Sequence, residues 1–266
     1  MKKVGLITLL AITIAIIVII YVQENDIKLD FSKVKEISFS QLTSMEDIEN
    51  LDGKKVKILG YMSPVSPYGY SYIYLTSSPY STDIFNEGEY TSIAVYTAGQ
   101  AIAYSNHPVY VTGKLVVEDI TDSQEMSYSY RIKDAVIENA TADQVSDNIK
   151  KYFALADDNI LNDLNDLFGQ VDMLIYFDEY KEVGYITEEQ LTAIDLTQMD
   201  TLIQKVQAYN DTTYDTIISV LEQLKPIAEN LNTLLDEKKY SEFVNQKEQF
   251  EELYYEFYYY IGEFSV

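Results

Sequence analysis

The spacing of apolar residues changes once along this chain, and the change predicts two folded regions. Between residues 54 and 137, apolar and polar side chains alternate, as in β-strands with one buried face. From residue 141 onward, apolar side chains recur every three to four residues, as in amphipathic α-helices. The pattern therefore predicts a β domain at residues 38–140 and an acidic helical domain at residues 141–266.

Five segments of the β region carry the alternating pattern. Alternation places Val56 and Ile58 on the buried face of the first segment. Gly60 and Gly113 lie inside the first and fourth segments, where glycine marks a bend or bulge typical of a small barrel. The predicted strands are residues 54–62, 70–75, 92–96, 109–117 and 128–137.

Two of these segments resemble strands of OB-fold modules in exported, membrane-anchored bacterial proteins. Residues 53–64 (GKKVKILGYMSP) and residues 108–117 (PVYVTGKLVV) carry the resemblance, which covers residues 39–140. It implies a five-stranded OB-like barrel. Residues 76–91 form a longer connection than a minimal OB barrel has, and the helix usual between strands three and four is reduced to residues 98–104. A different small β-barrel or a sandwich is therefore the alternative.

Three apolar stripes in the second region predict an antiparallel three-helix bundle. The stripes run through residues 160–174, 217–235 and 250–264. A capping box begins at Thr187, Ser241 can cap the last helix, and Pro226 predicts a kink or a break in the second stripe. The stripes are short for a coiled-coil oligomer, which is the alternative.

An uncharged run of nineteen residues, 4–22, precedes both regions. Lys2 and Lys3 before it and Glu24 after it predict a transmembrane signal anchor at residues 1–22, with a cytoplasmic N-terminus. Residues 23–37 would then be a tether, and the rest of the chain would be extracytoplasmic. A cleaved signal peptide is the alternative, although no small-x-small cleavage site follows the run.

Together these patterns predict a multidomain α+β protein of the cell membrane, with a single pass. It would consist of an N-terminal transmembrane helix, a five-stranded OB-like β-barrel and a C-terminal antiparallel three-helix bundle. The membrane itself would be one partner, through residues 4–22.

Charge and composition exclude several classes of function. The net charge is −24, and residues 141–266 supply −18 of it with 26 acids and 8 bases, which disfavours nucleic acid as a partner. Cysteine is absent and His107 is the one histidine, so disulfides, thiolate zinc sites and cysteine nucleophiles are excluded. Acids and amides crowd residues 157–166, without the glycine and glutamate of a calcium loop. The sequence predicts no metal and no cofactor.

Tyrosine provides the first candidate site. Tyr70, Tyr72 and Tyr74 share one face of the second predicted strand, and Tyr96 lies in the third. OB modules bind oligonucleotides and oligosaccharides on this face, and flat rings suit stacking on either ligand. The alternative is that the helical domain or residues 76–91 cover these rings.

Lysine extends that candidate surface. Lys55 and Lys57 of the first strand and Lys114 of the fourth lie on the outward face by the same alternation. A basic strip of this kind could hold an anionic polymer. The alternative is that these lysines only keep the strands soluble and deter edge pairing.

These observations predict a binding or scaffold protein with no catalytic residues and no enzymatic activity. It would be tethered to the membrane of a bacterial cell envelope and contact a wall polymer or a protein partner. Residues 254–260 (YYEFYYY) are a further candidate contact, or else a buried bundle face. One alternative function is a carboxylate-dependent envelope hydrolase, which needs two acids about 5–10 Å apart in one cleft. The other is capture of single-stranded nucleic acid by the barrel.

Overall fold

The computed structural model describes residues 33–266 except Tyr68, Asp83 and Glu87. Lys35–Val266 forms one compact α+β unit. The strands in this part of the chain are β1 (Lys35–Ile37), β2 (Lys55–Met62), β3 (Tyr72–Thr76), β4 (Ser92–Thr97), β5 (Val109–Thr121) and β6 (Ser127–Asn139). The α-helices are α1 (Met45–Glu49), α2 (Asp147–Asp157), α3 (Ile160–Ile175), α4 (Phe177–Glu182), α5 (Leu196–Gln207), α6 (Asp215–Asp236) and α7 (Lys247–Gly262).

The strands form one mixed sheet in the order β1-β2-β3-β4-β6-β5. Because β2 also pairs with β5, the five strands β2 to β6 close into a ring, which we call the strand ring. The β1–β2 and β4–β6 pairs are parallel, and the other pairs are antiparallel. β3 meets β2 only at Tyr61 and Met62, and β1 pairs with the preceding residues 56–58 of β2.

The predicted five-stranded sheet is therefore wrong in strand number, because the described sheet has six strands. The additional strand is β1, within residues that the sequence assigns to a tether. It is three residues long and only Ile37 of it is buried, so alternation has too few positions to reveal it. Resemblance of the strand ring to OB-fold modules stays a prediction.

The predicted three-helix bundle is also wrong, because residues 141–266 contain six α-helices, α2 to α7. Asn159, in the left-handed backbone conformation at φ 61°, separates α2 from the first apolar stripe, which lies in α3. The capping box at Thr187 forms on a single 3-10 turn and not at the start of an α-helix. Pro226 lies inside α6, which continues through it from Asp215 to Asp236.

The predicted transmembrane helix at residues 4–22 lies outside the described residues. None of the helices within the described ranges is both long enough and apolar enough to cross a membrane. The prediction of a single-pass membrane protein is therefore corrected, because the structure does not support it. The predicted extracytoplasmic location rested on the same helix and is corrected with it, whereas the membrane as a partner stays a prediction.

Two glycines let the ring strands approach each other closely. A Cβ atom on Gly60 would lie 2.6 Å from the Leu75 Cγ, which is closer than packed side chains allow. A Cβ atom on Gly113 would lie 2.5 Å from the Ile132 Cγ2 and 2.7 Å from the Lys133 carbonyl oxygen. Gly113 also lies where the register between β5 and β6 shifts. Both positions therefore require glycine for close packing.

The strand ring and the helices each have a hydrophobic core, and the two cores meet. Val56, Ile73 and Leu75 belong to the core of the ring. Tyr61 of β2 belongs instead to the core of the helical region, and Val266 packs against both. Burying apolar area on both sides of this contact joins the ring and the helices along one seam.

Candidate functional site

The contact between the strand ring and the helices, which we call the seam, is fixed by buried and backbone hydrogen bonds. The Tyr61 hydroxyl donates to the Phe264 carbonyl oxygen at 2.7 Å, and the Tyr61 ring meets the Tyr152 ring edge-on at 5.1 Å. The Val266 N–H donates to the Ser77 carbonyl oxygen at 2.8 Å. These bonds hold the residues that follow α7 against β2 and against Ser77, the residue after β3.

His107 also lies at the seam, where the chain enters β5. Its Nε2 is 2.8 Å from the Asp157 Oδ1, and its ring centroid is 5.2 Å from that of Phe153 on α2. The neighbouring Asn106 donates through Nδ2 to the Asn162 Oδ1 at 2.6 Å. The histidine therefore joins the strand ring to the helices.

Two adjoining cavities of about 540 Å³ and 530 Å³ open along the seam. Tyr80 and Thr82 line both cavities from the connection between β3 and β4. Tyr254 and Tyr258 line both from α7. We call the combined cleft the tyrosine groove and define it by these four residues.

Tyr80 has the most unusual surroundings in the tyrosine groove. Its backbone is in the left-handed region at φ 56°, which a bulky residue adopts rarely and at an energetic cost. Among the described residues, its hydroxyl is the buried side-chain polar atom without a hydrogen-bond partner. Burial raises the pKa of Tyr80 to about 12, and the neighbouring Asn165 side chain acts in the opposite direction. The tyrosine groove therefore contains an unsatisfied polar atom held in place by a strained backbone.

The wall opposite Tyr80 is one face of α7. Tyr254 and Tyr258 are one helical turn apart and their ring centroids are 4.5 Å apart. The Tyr258 hydroxyl donates to the Asn165 Oδ1 at 3.1 Å, and burial raises the pKa of Tyr258 above its usual value. Tyr255 and Tyr259 line the same cavity with 56% and 79% of their surface exposed, so they form its rim.

The described lining of the tyrosine groove is nearly neutral on a strongly acidic protein. The charged residue in its described lining is Glu263, and no lysine or arginine is present there. Its other polar groups are hydroxyls and the amides of Asn106, Asn162 and Asn165. Such groups donate and accept hydrogen bonds without a net charge.

The predicted barrel tyrosines are brought together, but most of their area is covered. Tyr72 and Tyr74 are buried with Ile84, which belongs to the long connection between β3 and β4. Tyr96 is half-buried and stacks on Tyr72 with 5.0 Å between ring centroids. Tyr70 remains open, with 56% of its surface exposed. A ligand surface at Tyr70 and Tyr96 stays a prediction.

The hydroxyls of these rings are also used within the strand ring. Tyr74 donates to the Asp122 Oδ2 at 2.6 Å, and Asp122 lies in the turn between β5 and β6. The Tyr96 and Tyr128 hydroxyls form a hydrogen bond with each other. The Arg131 guanidinium stacks over the Tyr96 ring at 4.6 Å. This network therefore supports the fold.

The predicted lysines lie on the outer face of the strand ring. Lys55 and Lys114 are direct cross-strand partners in the β2–β5 pair. Lys57 lies 4.1 Å above the Tyr110 ring and 4.0 Å from Glu36 of β1. Their role in binding an anion stays a prediction.

Carboxylates do not form a second candidate centre. No group of three or more metal-ligating side chains that could hold an ion occurs in the described ranges. Hydrogen bonds, above all the one from the Thr213 backbone N–H, lower the pKa of Asp211 to about 2. The other described carboxyls with a clearly shifted pKa are also shifted downward, and they are Asp47, Glu118, Asp147 and Glu189. None of these five lines the tyrosine groove.

Sequence reasoning missed most of the tyrosine groove. The run at residues 254–260 was a signal for one wall, although its pattern did not show that Tyr254 and Tyr258 face a cavity. Tyr80 and the asparagines carry no local signal, because they come from connections and from the polar side of α3. Only the folded seam brings them together.

Comparison with known proteins found no match, so a functional assignment rests on the geometry of the tyrosine groove. No protein-family model matches the chain, and no curated protein matches its sequence.

Proposed function

We propose that this protein is a binding protein and that a polymer or a protein partner occupies the tyrosine groove. The observation that carries the proposal is the pair of cavities of about 540 Å³ and 530 Å³ that Tyr80, Thr82, Tyr254 and Tyr258 line together. Concave sites lined by aromatic rings and a few polar groups are where proteins commonly bind ligands.

The construction of the tyrosine groove supports the proposal. Its walls come from connections between the strands of the ring and from α3 and α7, and the bonds of the seam hold these elements together. A ligand would therefore meet walls that are already positioned, which lowers the entropic cost of binding. Each cavity also lies within the range of about 300–1,000 Å³ that is usual for ligand sites.

Binding accounts for the tyrosine groove better than hydrolysis does. Glycosidic hydrolysis uses a pair of carboxylic acids, one on each side of the scissile bond. The described lining of the groove contributes one carboxylate, Glu263.

Blocking the tyrosine groove tests the proposal. A Cβ atom on Gly262, which lines the groove, would meet no atom within 4 Å, so Gly262→Trp can direct an indole into the cleft. Gly262→Ala is the matched control, because it adds only a methyl group at the same position. The probes are neutral glucose oligomers, a single-stranded oligothymidine and an unstructured peptide.

Each protein is melted with and without each probe, and its shift is taken relative to its own unliganded melting temperature. A probe at 100 times its Kd stabilises the folded state by about 2.7 kcal/mol, or about 5–10 °C for a chain of this size. We expect at least one probe class to shift the wild type and Gly262→Ala but not Gly262→Trp. Absence of any shift, or an equal shift in Gly262→Trp, would show that the groove is not the binding site.

A further inference from the structure

We propose that the ligand of the tyrosine groove is a neutral oligosaccharide chain. This inference rests on the proposed binding function and adds the chemical class of the ligand. It follows from the kinds of surface in the groove, from its charge and from the direction in which it extends.

Aromatic area is the first argument. Tyr80, Tyr254 and Tyr258 line both cavities, with Tyr255 and Tyr259 at the rim. The apolar C–H faces of sugar rings pack on flat aromatic faces, and a phenol adds a polar tip that can reach a sugar hydroxyl. A row of tyrosines therefore matches a ligand that alternates apolar ring faces with hydroxyl groups.

Hydrogen-bonding chemistry is the second argument. Asn165 places an amide beside the groove tyrosines, because its Oδ1 accepts from the Tyr258 hydroxyl at 3.1 Å and the Tyr258 ring centroid is 5.9 Å from that of Tyr80. A phenol can both donate and accept a hydrogen bond, as a sugar hydroxyl can. The amides of Asn106 and Asn162 and the phenols of Tyr255 and Tyr259 at the rim can therefore exchange hydrogen bonds with the hydroxyls of a sugar chain.

Charge is the third argument, and it disfavours the other polymers. A phosphate backbone needs cations, but the described lining of the tyrosine groove contains no lysine or arginine, and the protein carries a net charge of −24. A basic peptide would need several carboxylates, and the described lining offers only Glu263. A ligand without charge fits this lining best.

The extent of the tyrosine groove favours a chain over a single sugar. From the four shared residues, one cavity extends along α7 to Gly262 and Glu263. The other extends to Asn106 and Asn162. An elongated ligand can contact both cavities at once, and a monosaccharide can fill only one of them.

Calorimetric titration with a series of neutral oligosaccharides of glucose and of N-acetylglucosamine tests the inference on the full chain. We expect at least one series to bind, more tightly as the oligomer lengthens from two to six units. We also expect an affinity that is unchanged between 50 and 500 mM salt, because no counterions are released.

Variants locate the binding. Tyr258→Ala should weaken the affinity about 10-fold because it removes a stacking face. Tyr259→Ala changes a rim residue with 79% of its surface exposed, so it keeps the fold and should still weaken binding. Tyr185→Ala, at an exposed position outside the described lining, is the control and should bind as the wild type does.

The outcomes separate this inference from the proposed function. If the peptide or the oligothymidine binds in the tyrosine groove and is blocked by Gly262→Trp, while no oligosaccharide binds, the inference is wrong and the binding function stands. If no probe of any class binds in the groove, both are wrong. Oligosaccharide affinity that both Tyr258→Ala and Tyr259→Ala leave unchanged would also overturn the inference.

Discussion

Removing a buried hydroxyl from each of two tyrosines, Tyr61 and Tyr80, should change stability differently. The Tyr61 side chain is 2% exposed, and its hydroxyl donates to the Phe264 carbonyl oxygen at 2.7 Å. Tyr61→Phe leaves that carbonyl without its donor at the seam. The loss of a buried hydrogen bond with one unsatisfied partner costs about 1–3 kcal/mol. For a chain of this size, this lowers the melting temperature by about 2–10 °C.

Tyr80→Phe removes a hydroxyl that has no partner among the described residues. The folded protein then no longer buries an unsatisfied polar group, while the ring remains in contact with Tyr258. We expect the free energy of unfolding to stay constant or to rise by up to about 1 kcal/mol. Tyr61→Phe and Tyr80→Phe make the same chemical change, so the difference between them reports the hydrogen bonding of each hydroxyl.

Urea unfolding followed by circular dichroism measures both variants against the wild type. The m-value should be the same in all three proteins, so that a shift in midpoint reports stability alone. If Tyr80→Phe is destabilised as much as Tyr61→Phe, the Tyr80 hydroxyl is bonded in the free protein. The assignment of the Tyr80 hydroxyl as an unsatisfied buried group would then be wrong.

Three further predictions concern the fold. Gly113→Ala should cost about 1–3 kcal/mol in urea unfolding, because its Cβ would lie 2.5 Å from the Ile132 Cγ2, whereas Gly169→Ala, with open space around it, should be neutral or stabilising. Phe264→Ala should cost about 3–5 kcal/mol in the same assay, since the ring is 1% exposed at the seam. Burial raises the pKa of Tyr130 from 10 to about 12, so the unfolded state ionises first and stability should fall as the pH rises from 10 to 12. Urea midpoints across that range check the pH prediction, and the fall should be shallower in Tyr130→Phe.

Local periodicity predicted most of the strand ring, because each strand buries one face. The fourth predicted strand, residues 109–117, lies within β5, and the fifth, residues 128–137, lies within β6. Both strands continue further than the pattern, since their outer ends alternate less regularly between buried and exposed positions.

Periodicity also located the apolar stripes of the helices but not the ends of the helices. A stripe shows which residues face a core, and it does not show where the backbone turns away. The break at Asn159 depends on one residue in a left-handed conformation, and the break at Tyr176 falls where the first stripe has ended. Neither changes the apolar spacing of its neighbours.

The candidate site was harder to predict because it depends on contacts between distant segments. Alternation correctly grouped Tyr72 and Tyr74 on one face, yet it could not show that Ile84 would cover that face. In the same way, Tyr80 and Tyr258 are far apart in sequence, and their rings meet at 5.9 Å only because the seam joins the strand ring to α7.

NMR signals of the tyrosine rings show directly where a ligand binds. The protein is labelled with ring-¹³C tyrosine, its signals are assigned by single Tyr→Phe substitutions, and a glucose or N-acetylglucosamine hexamer is added. We expect the signals of Tyr80, Tyr254 and Tyr258 to shift together and to saturate with the calorimetric affinity. Shifts confined to Tyr70 and Tyr96 would place the ligand on the outside of the strand ring and rule out the tyrosine groove as its site.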